Sequence, residues 1–310
     1  MDVLISCNKV RYYYEPGVSV IDDISFSIAS GETLGLIGPN GVGKTTLIKL
    51  LIGLLRPRAG SVRVYGSDPF IHPNVRRHVG VVHQNGGFEE FLSGWDNLLI
   101  AGRFFGLRSK QVQRRIEYLS NRLGVDAAFL DRPVITFSGG QRKRLQILRA
   151  LLHSPSILYL DEPTIGLDVV GRKFFYQAIR RLKEEEGITV VWSSHYLAEL
   201  ETNSDNVLLL LGPGRWLHAP TEDLAKLGAR TEVGLEVSAL NDCVEALVKK
   251  HGLKLTASNR LVYVGYPKRL YNEILPALSQ CGVELTNVTQ LGSWLEDLYL
   301  ELVEKGGRSS

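Results

Sequence analysis

Gly38-Pro39-Asn40-Gly41-Val42-Gly43-Lys44-Thr45 is the stretch that decides how the rest of this chain is read. Glycines at 38, 41 and 43 let the backbone curl until its N–H groups converge, and such a nest cradles phosphate oxygens. Lys44 adds a point charge for the outer phosphates, and the Thr45 hydroxyl suits a hard cation such as Mg²⁺. The flanks agree. Thr33–Ile37 is a short apolar run that predicts a strand ending in the loop, and Thr46–Leu55 predicts a helix whose N-terminal dipole favours an anion. Strand, glycine loop and helix is the context this motif requires, and a chance glycine-rich turn would not supply it.

Outward from the loop, strands are expected at Ser61–Tyr65, Val79–His83, Ile157–Leu160, Ile188–Trp192 and Val207–Leu211. Arg172–Glu185 reads as a helix between two of them. Strands alternating with helices predict an α/β unit with a mainly parallel sheet and ligands at the strand carboxyl ends. From about residue 86 to 155 the pattern turns helical, at Trp95–Phe105, Ser109–Leu123 and Arg144–His153, with Ser109 a candidate N-cap. This reads as a helical subdomain inserted into the α/β core.

A second unit is expected over 221–310, after a first over 1–220. Its segments Glu232–Val237, Leu240–His251, Leu253–Thr256, Leu261–Val264, Lys268–Cys281 and Val283–Val288 run β, α, β, β, α, β, the order of a ferredoxin-like α+β fold. A last helix carries the apolar stripe Trp294, Leu295, Leu298, Tyr299 and Leu302, expected to dock on its own chain.

Several residues carry candidate chemistry. Asp161 ends the apolar strand, where a carboxylate can hold Mg²⁺ through water, and Glu162 beside it can polarise an attacking water. Ser138-Gly139-Gly140-Gln141 precedes a basic helix and forms a second anion cradle. A helix has one N-terminus, so this cradle cannot belong to the first loop. Gln84 and His195 each end a predicted strand, the first a possible oxygen ligand to Mg²⁺, the second a possible donor to a phosphate. Asp168, in Gly166-Leu167-Asp168, is otherwise a helix cap.

Composition bounds the rest. Of the 310 residues, 44% are hydrophobic and 22% charged, ordinary for a globular protein, and the net charge of +3 is too small to argue for nucleic acid. The three cysteines, Cys7, Cys243 and Cys281, are far apart and in no ligand spacing, so no disulfide framework and a reducing compartment are expected. No leader is read in Met1-Asp2-Val3-Leu4, and no apolar run approaches the roughly 20 residues of a membrane span.

These motifs, in this order, resemble the ATP-binding subunit of ABC transporters, over about residues 1–220. The resemblance places the Walker A loop on Gly38–Thr46, the Q-loop on Gln84, the signature sequence on Ser138–Gln141, Walker B on Ile157–Asp161, the catalytic glutamate on Glu162, the D-loop on Asp168 and the switch histidine on His195. Tyr14 is the implied adenine platform, with Tyr12 and Tyr13 as alternatives. Phe137, Val169 and His83 depart from the family's usual neighbours without removing a reacting group. Trp294-Leu295-Glu296-Asp297-Leu298-Tyr299 is similar to the close of export-type subunits for drugs and polysaccharides.

The resemblance implies a P-loop NTPase core that hydrolyses ATP with Mg²⁺. It also implies a head-to-tail homodimer or a pair with a paralogous subunit, multi-span membrane permease subunits as partners, and a place on the cytoplasmic membrane face. The 221–310 unit would serve dimer contact or regulation. A soluble ABC ATPase acting on DNA or ribosomes is the alternative. It is weakened by one nucleotide domain, no coiled-coil insertion and no basic tail, and no nucleic-acid partner is expected. A kinase or GTPase would leave Ser138–Gln141 without a role.

Overall fold

The computed structural model describes residues 3–83, 87–226, 231–257, 259–265, 269–290 and 293–307. The chain divides into two compact units, 1–195 with 203–218, and 196–202 with 219–310.

The first unit holds two sheets. β1 (Val3–Tyr13) pairs antiparallel with β2 (Ser19–Ala29) and with β4 (Ala59–Val64). The larger sheet has the order β5-β6-β7-β3-β8-β9, built from β5 (Val79–Val82), β6 (Ile157–Asp161), β7 (Thr189–Ser193), β3 (Thr33–Ile37), β8 (Asn206–Gly212) and β9 (Arg215–Pro220). From β5 to β8 every pairing is parallel. Strands covered on both faces read as unbroken apolar runs, and every residue of β3, β6 and β7 is buried. Trp192 and Tyr159 lie fully inside, with Phe175 of α5 (Val169–Glu186) edge-on to Trp192 at 5.4 Å.

α1 (Lys44–Leu51) follows the glycine loop, two residues earlier than the sequence pattern suggested. The helical insertion contains α2 (Gly94–Phe104), α3 (Ser109–Leu123) and α4 (Gly139–Leu151). The expected cap of α3 is corrected: Ser109 is already helical and Arg108 holds the cap position. The Gln111 side chain accepts from the Arg108 N–H at 2.8 Å, so the capping-box partner sets the boundary rather than the serine.

The second unit contains α6 (Leu197–Asn203), α7 (Thr221–Lys226), β10 (Thr231–Val237), α8 (Asp242–His251), β11 (Lys254–Ala257), β12 (Arg260–Gly265), α9 (Leu275–Gln280), β13 (Leu285–Gln290) and α10 (Trp294–Gly307). A short π-helical turn at Leu270–Ile274 leads into α9. Its sheet has the order β11-β12-β10-β13 with every pairing antiparallel, which is the ferredoxin-like arrangement. Leu235, Leu261, Tyr263, Ile274 and Leu278 are among its core. Leu295 and Leu298 of the terminal stripe are buried.

The expectation of no disulfide is overturned, because Cys243 and Cys281 are joined. They are 38 residues apart in sequence, yet the fold brings their Cα atoms to 5.6 Å, inside the range a disulfide spans. Cys7 is free and buried.

Candidate functional site

β3 ends at Ile37, and the Gly38 that follows has no room for a side chain. A Cβ there would lie 2.6 Å from the Leu210 carbonyl oxygen and 2.7 Å from Val42 Cγ1. Gly43, the cap of α1, has φ of 116°, and a Cβ on it would meet Ile21 Cδ1 at 2.9 Å. Both backbone conformation and packing therefore demand glycine, and the curled loop over Pro39, Asn40, Gly41 and Val42 follows. The α1 N-terminus has no side-chain cap, leaving its first N–H groups to the loop's concavity.

Lys44 is buried. Its Nζ donates to the Gly38 carbonyl at 2.8 Å and to that of Pro39 at 3.3 Å, and stands 3.5 Å from Glu162 Oε1. The other Glu162 oxygen is 3.4 Å from His195 Nδ1. Thr45 Oγ1 donates to Asp161 Oδ2 at 3.0 Å. Ser193 Oγ donates to Asp161 Oδ1 at 2.8 Å and accepts from the Glu162 N–H at 3.0 Å. Glu162 has φ of 47°, a left-handed conformation that a non-glycine residue holds only when its surroundings impose it.

A cavity of about 650 Å³ is lined by Tyr14, Val20, Asn40, Gly41, Gly43, Lys44, Thr45, Thr46, Glu162, Ile165 and His195. Such a volume is within the range of ligand pockets. Tyr14 is half exposed, with its hydroxyl 3.2 Å from Thr46 Oγ1, whereas Tyr12 is buried in the core. Tyr14 is thus the tyrosine that borders the cavity.

The second cradle lies apart. Ser138–Gln141 and Asp168 do not line this cavity. Ser138 Oγ accepts from the Gln141 N–H at 3.2 Å, and the Gln141 side chain accepts from the Ser138 N–H at 3.0 Å, a reciprocal cap on α4. A Cβ on Gly139 would lie 3.3 Å from the Gly166 carbonyl, so this cradle borders the 166–168 turn. Asp168 caps α5, accepting from Gly171 N–H at 2.7 Å. Gln84 lies outside the described residues.

Sequence reasoning passed over Ser193, which is fully buried and fastens the Asp161 carboxylate and the Glu162 backbone N–H. The only signal was a hydroxyl ending an apolar strand. The cross-strand register Asp161↔Ser193 is what gives it meaning.

For Mg²⁺, the fitting donors are hard oxygens, the Thr45 hydroxyl and the Asp161 carboxylate, already within 3.0 Å of one another. Mg²⁺ is commonly held by one or two protein oxygens plus substrate phosphates. Among the described residues no cluster of three or more His, Cys, Asp or Glu side chains offers a cage for a metal. Two oxygens beside a phosphate cradle therefore fit Mg²⁺.

A parallel sheet with one strand ending in a glycine loop, and acidic groups closing the strand next but one to it, defines a P-loop nucleotide-binding protein. The family profile described as ABC transporter matches residues 21–165. The daunorubicin resistance ATP-binding protein DrrA3 of Streptomyces coeruleorubidus is 32% identical over 91% of this chain and 90% of its own. The Nod factor export ATP-binding protein I of Cupriavidus pinatubonensis is 31% identical over 97% and 91%. Other curated relatives are matched over only 61% and 63% of their length. Among solved structures, cbiO1 from Clostridium perfringens, described as part of the ABC transporter complex cbiONQ, superposes with a TM-score of 0.65 and 26% identity, covering 72% of this chain and 91% of that one. The chain belongs to the ABC transporter family, among its ATP-binding proteins.

Proposed function

We propose that this chain binds ATP with Mg²⁺ in the Lys44 cavity and hydrolyses it to drive an ABC exporter. The observation that carries the reading is the line Lys44–Glu162–His195 across one cavity, with Thr45 of its lining bonded to Asp161.

The loop N–H groups and Lys44 would hold the outer phosphates. Lys44 is shared between loop carbonyls and Glu162, so an entering phosphate competes for its ammonium and frees the Glu162 carboxylate. That carboxylate would then accept a proton from the attacking water, with His195 orienting it. Thr45, Asp161 and Gln84 would hold Mg²⁺, which neutralises developing phosphate charge. Tyr14 would stack on adenine, beside the loop residues Gly38 to Thr46. Ser138, Gly139, Gly140 and Gln141, with Asp168, do not line this cavity in their own chain. They would close over the nucleotide of a second copy or of a paralogous subunit, and loss of the outer phosphate would reopen the pair.

The membrane partner would be multi-span permease subunits at the cytoplasmic face. Among the described residues no helix is long and apolar enough to cross a membrane. In the helical insertion, Phe91 and Phe104 are 84% and 87% exposed, and Phe104 lines a cavity of about 390 Å³ together with His83, Ile100, Phe105, Arg149 and His153. Burial pushes the pKa of His83 and His153 down, and the lining also carries Arg149, Glu89 and Asn97 among its apolar residues. Export rather than import is supported by the resistance and export relatives, and these disfavour the reading of a soluble ATPase on DNA or ribosomes. Residues 1–220 would form the ATP-binding part and 221–310 a unit for dimer contact or regulation.

Glu162→Gln tests the reading. ATP affinity should stay within about two-fold, turnover should fall by about a hundred-fold or more, and ATP should trap a dimer on size exclusion. Hydrolysis near that of the unmutated chain would overturn it.

A further inference from the structure

Residues 46–83 hold six lysines and arginines, Lys49, Arg56, Arg58, Arg63, Arg76 and Arg77, against a single acid, Asp68. The whole chain carries a net charge of only +3, so everything outside this segment is acidic on balance. The fold gathers part of that basic charge beside exposed apolar side chains. Gly53, with φ of 71°, lets the turn after α1 pass against residues 69–70, and a Cβ on it would lie 2.2 Å from the Pro69 carbonyl oxygen. Arg76 Nη2 fastens the same turn, donating to the Gly53 carbonyl at 2.5 Å. Arg56 lies over the Phe70 ring, 5.9 Å from its centroid. Asp68 is occupied by the turn itself, its Oδ1 accepting from the Phe70 N–H at 2.9 Å and the Ile71 N–H at 3.3 Å.

Leu54, Phe70 and Ile71 are left exposed, at 53%, 41% and 58%. Among the described residues no ion pair takes up Lys49, Arg56, Arg76 or Arg77. The Lys49 carbonyl accepts from the Leu54 and Leu55 N–H groups, so Lys49 stands at the root of the same turn. Burial lowers the pKa of His83, and Lys49 is near enough to lower it further, so the patch borders the groove that His83 lines.

We propose that this patch is a lipid-surface contact, in which Lys49, Arg56 and Arg77 meet anionic phospholipid headgroups while Leu54, Phe70 and Ile71 enter the headgroup layer. Charge complementarity selects the lipid, and the apolar trio adds what a purely electrostatic partner would not use. Leu54 and Ile71 offer nothing to the phosphates or base edges of a nucleic acid. The contact needs neither nucleotide nor permease, so it goes beyond the ATP reading and does not depend on it.

The test is co-sedimentation of the full chain with vesicles. Vesicles of equal parts phosphatidylglycerol and phosphatidylcholine should bind it several-fold more than phosphatidylcholine alone, and added salt should weaken that binding. Arg56→Gln with Arg77→Gln should lower binding about ten-fold or more, and Ile71→Ser about five-fold. Lys110→Gln with Arg114→Gln, an equal loss of charge on exposed positions of α3, should leave binding within about two-fold of the unmutated chain. Equal binding to both vesicle types, or an equal loss in the α3 pair, overturns the proposal. So does binding that Ile71→Ser leaves intact and a DNA duplex competes away, which would make the patch a nucleic-acid surface. None of these outcomes bears on hydrolysis or on the permease, which is absent from the assay.

Discussion

Glu162 is held at φ of 47°, and a side chain in that region costs about 1–3 kcal/mol unless neighbours impose it. What imposes it is Ser193. The Glu162 N–H donates both to Ser193 Oγ at 3.0 Å and to the Ser193 carbonyl at 3.2 Å, while the same hydroxyl donates to Asp161. One buried serine thus aims the expected base and steadies the expected Mg²⁺ ligand. Ser193→Ala should therefore lower turnover by about ten- to a hundred-fold through misplacement, with a stability cost of about 1–3 kcal/mol for the unsatisfied groups. Rates measured beside a thermal melt would check this, and an unchanged rate would show that the strain has another source. Asp161 and Glu162 were legible in the sequence because acids closing an apolar strand stand out. Ser193 was not, because its meaning depends on β6 lying beside β7, and a sequence gives the order of strands without their adjacency.

At the scale of elements, the glycine loop was legible with its strand and helix because short-range sterics dictate it. The α3 boundary was misplaced because the Gln111 side chain reaches back to the Arg108 N–H and so starts the helix at Ser109 instead of after it. α4 begins at Gly139, earlier than its apolar periodicity, because the reciprocal Ser138–Gln141 cap extends it over two glycines that periodicity ignores. Arg142 then forms a bidentate pair with Glu90, at 2.5 and 2.7 Å, tying α4 to the segment before α2. Phe104 is 87% exposed and contributes little to the core, so Phe104→Glu should change stability by less than about 0.5 kcal/mol. Hydrolysis by the chain alone should be unaltered. Where the permease partner is present, however, the fraction of the chain retained on washed membranes should fall several-fold. Retention equal to that of the unmutated chain would mean that the α2 face is not where the membrane subunits sit.

The two units of the whole molecule were legible to different degrees. The ferredoxin-like order followed from alternation alone, but the disulfide did not. Cys243 and Cys281 meet only because the fold brings two residues 38 apart in sequence together. The segment 196–202, likewise, groups with the second unit although it lies inside the first in sequence. The largest inference at this scale is that the molecule is half of its catalytic assembly. Ser138–Gln141 and Asp168 stand apart from the Lys44 cavity, and Gly139 is committed to the 166–168 turn. If two copies pair head to tail, Lys44→Ala and Ser138→Arg should each abolish hydrolysis alone, since every site in either homodimer is broken. Mixing them rebuilds one site, from the intact loop of one chain and the intact cradle of the other. Random pairing makes half the dimers mixed, each with one sound site of two, so the mixture should recover on the order of a quarter of the unmutated rate. A mixture no more active than its components would place the whole reaction within one chain and leave the second cradle as nothing more than a helix cap.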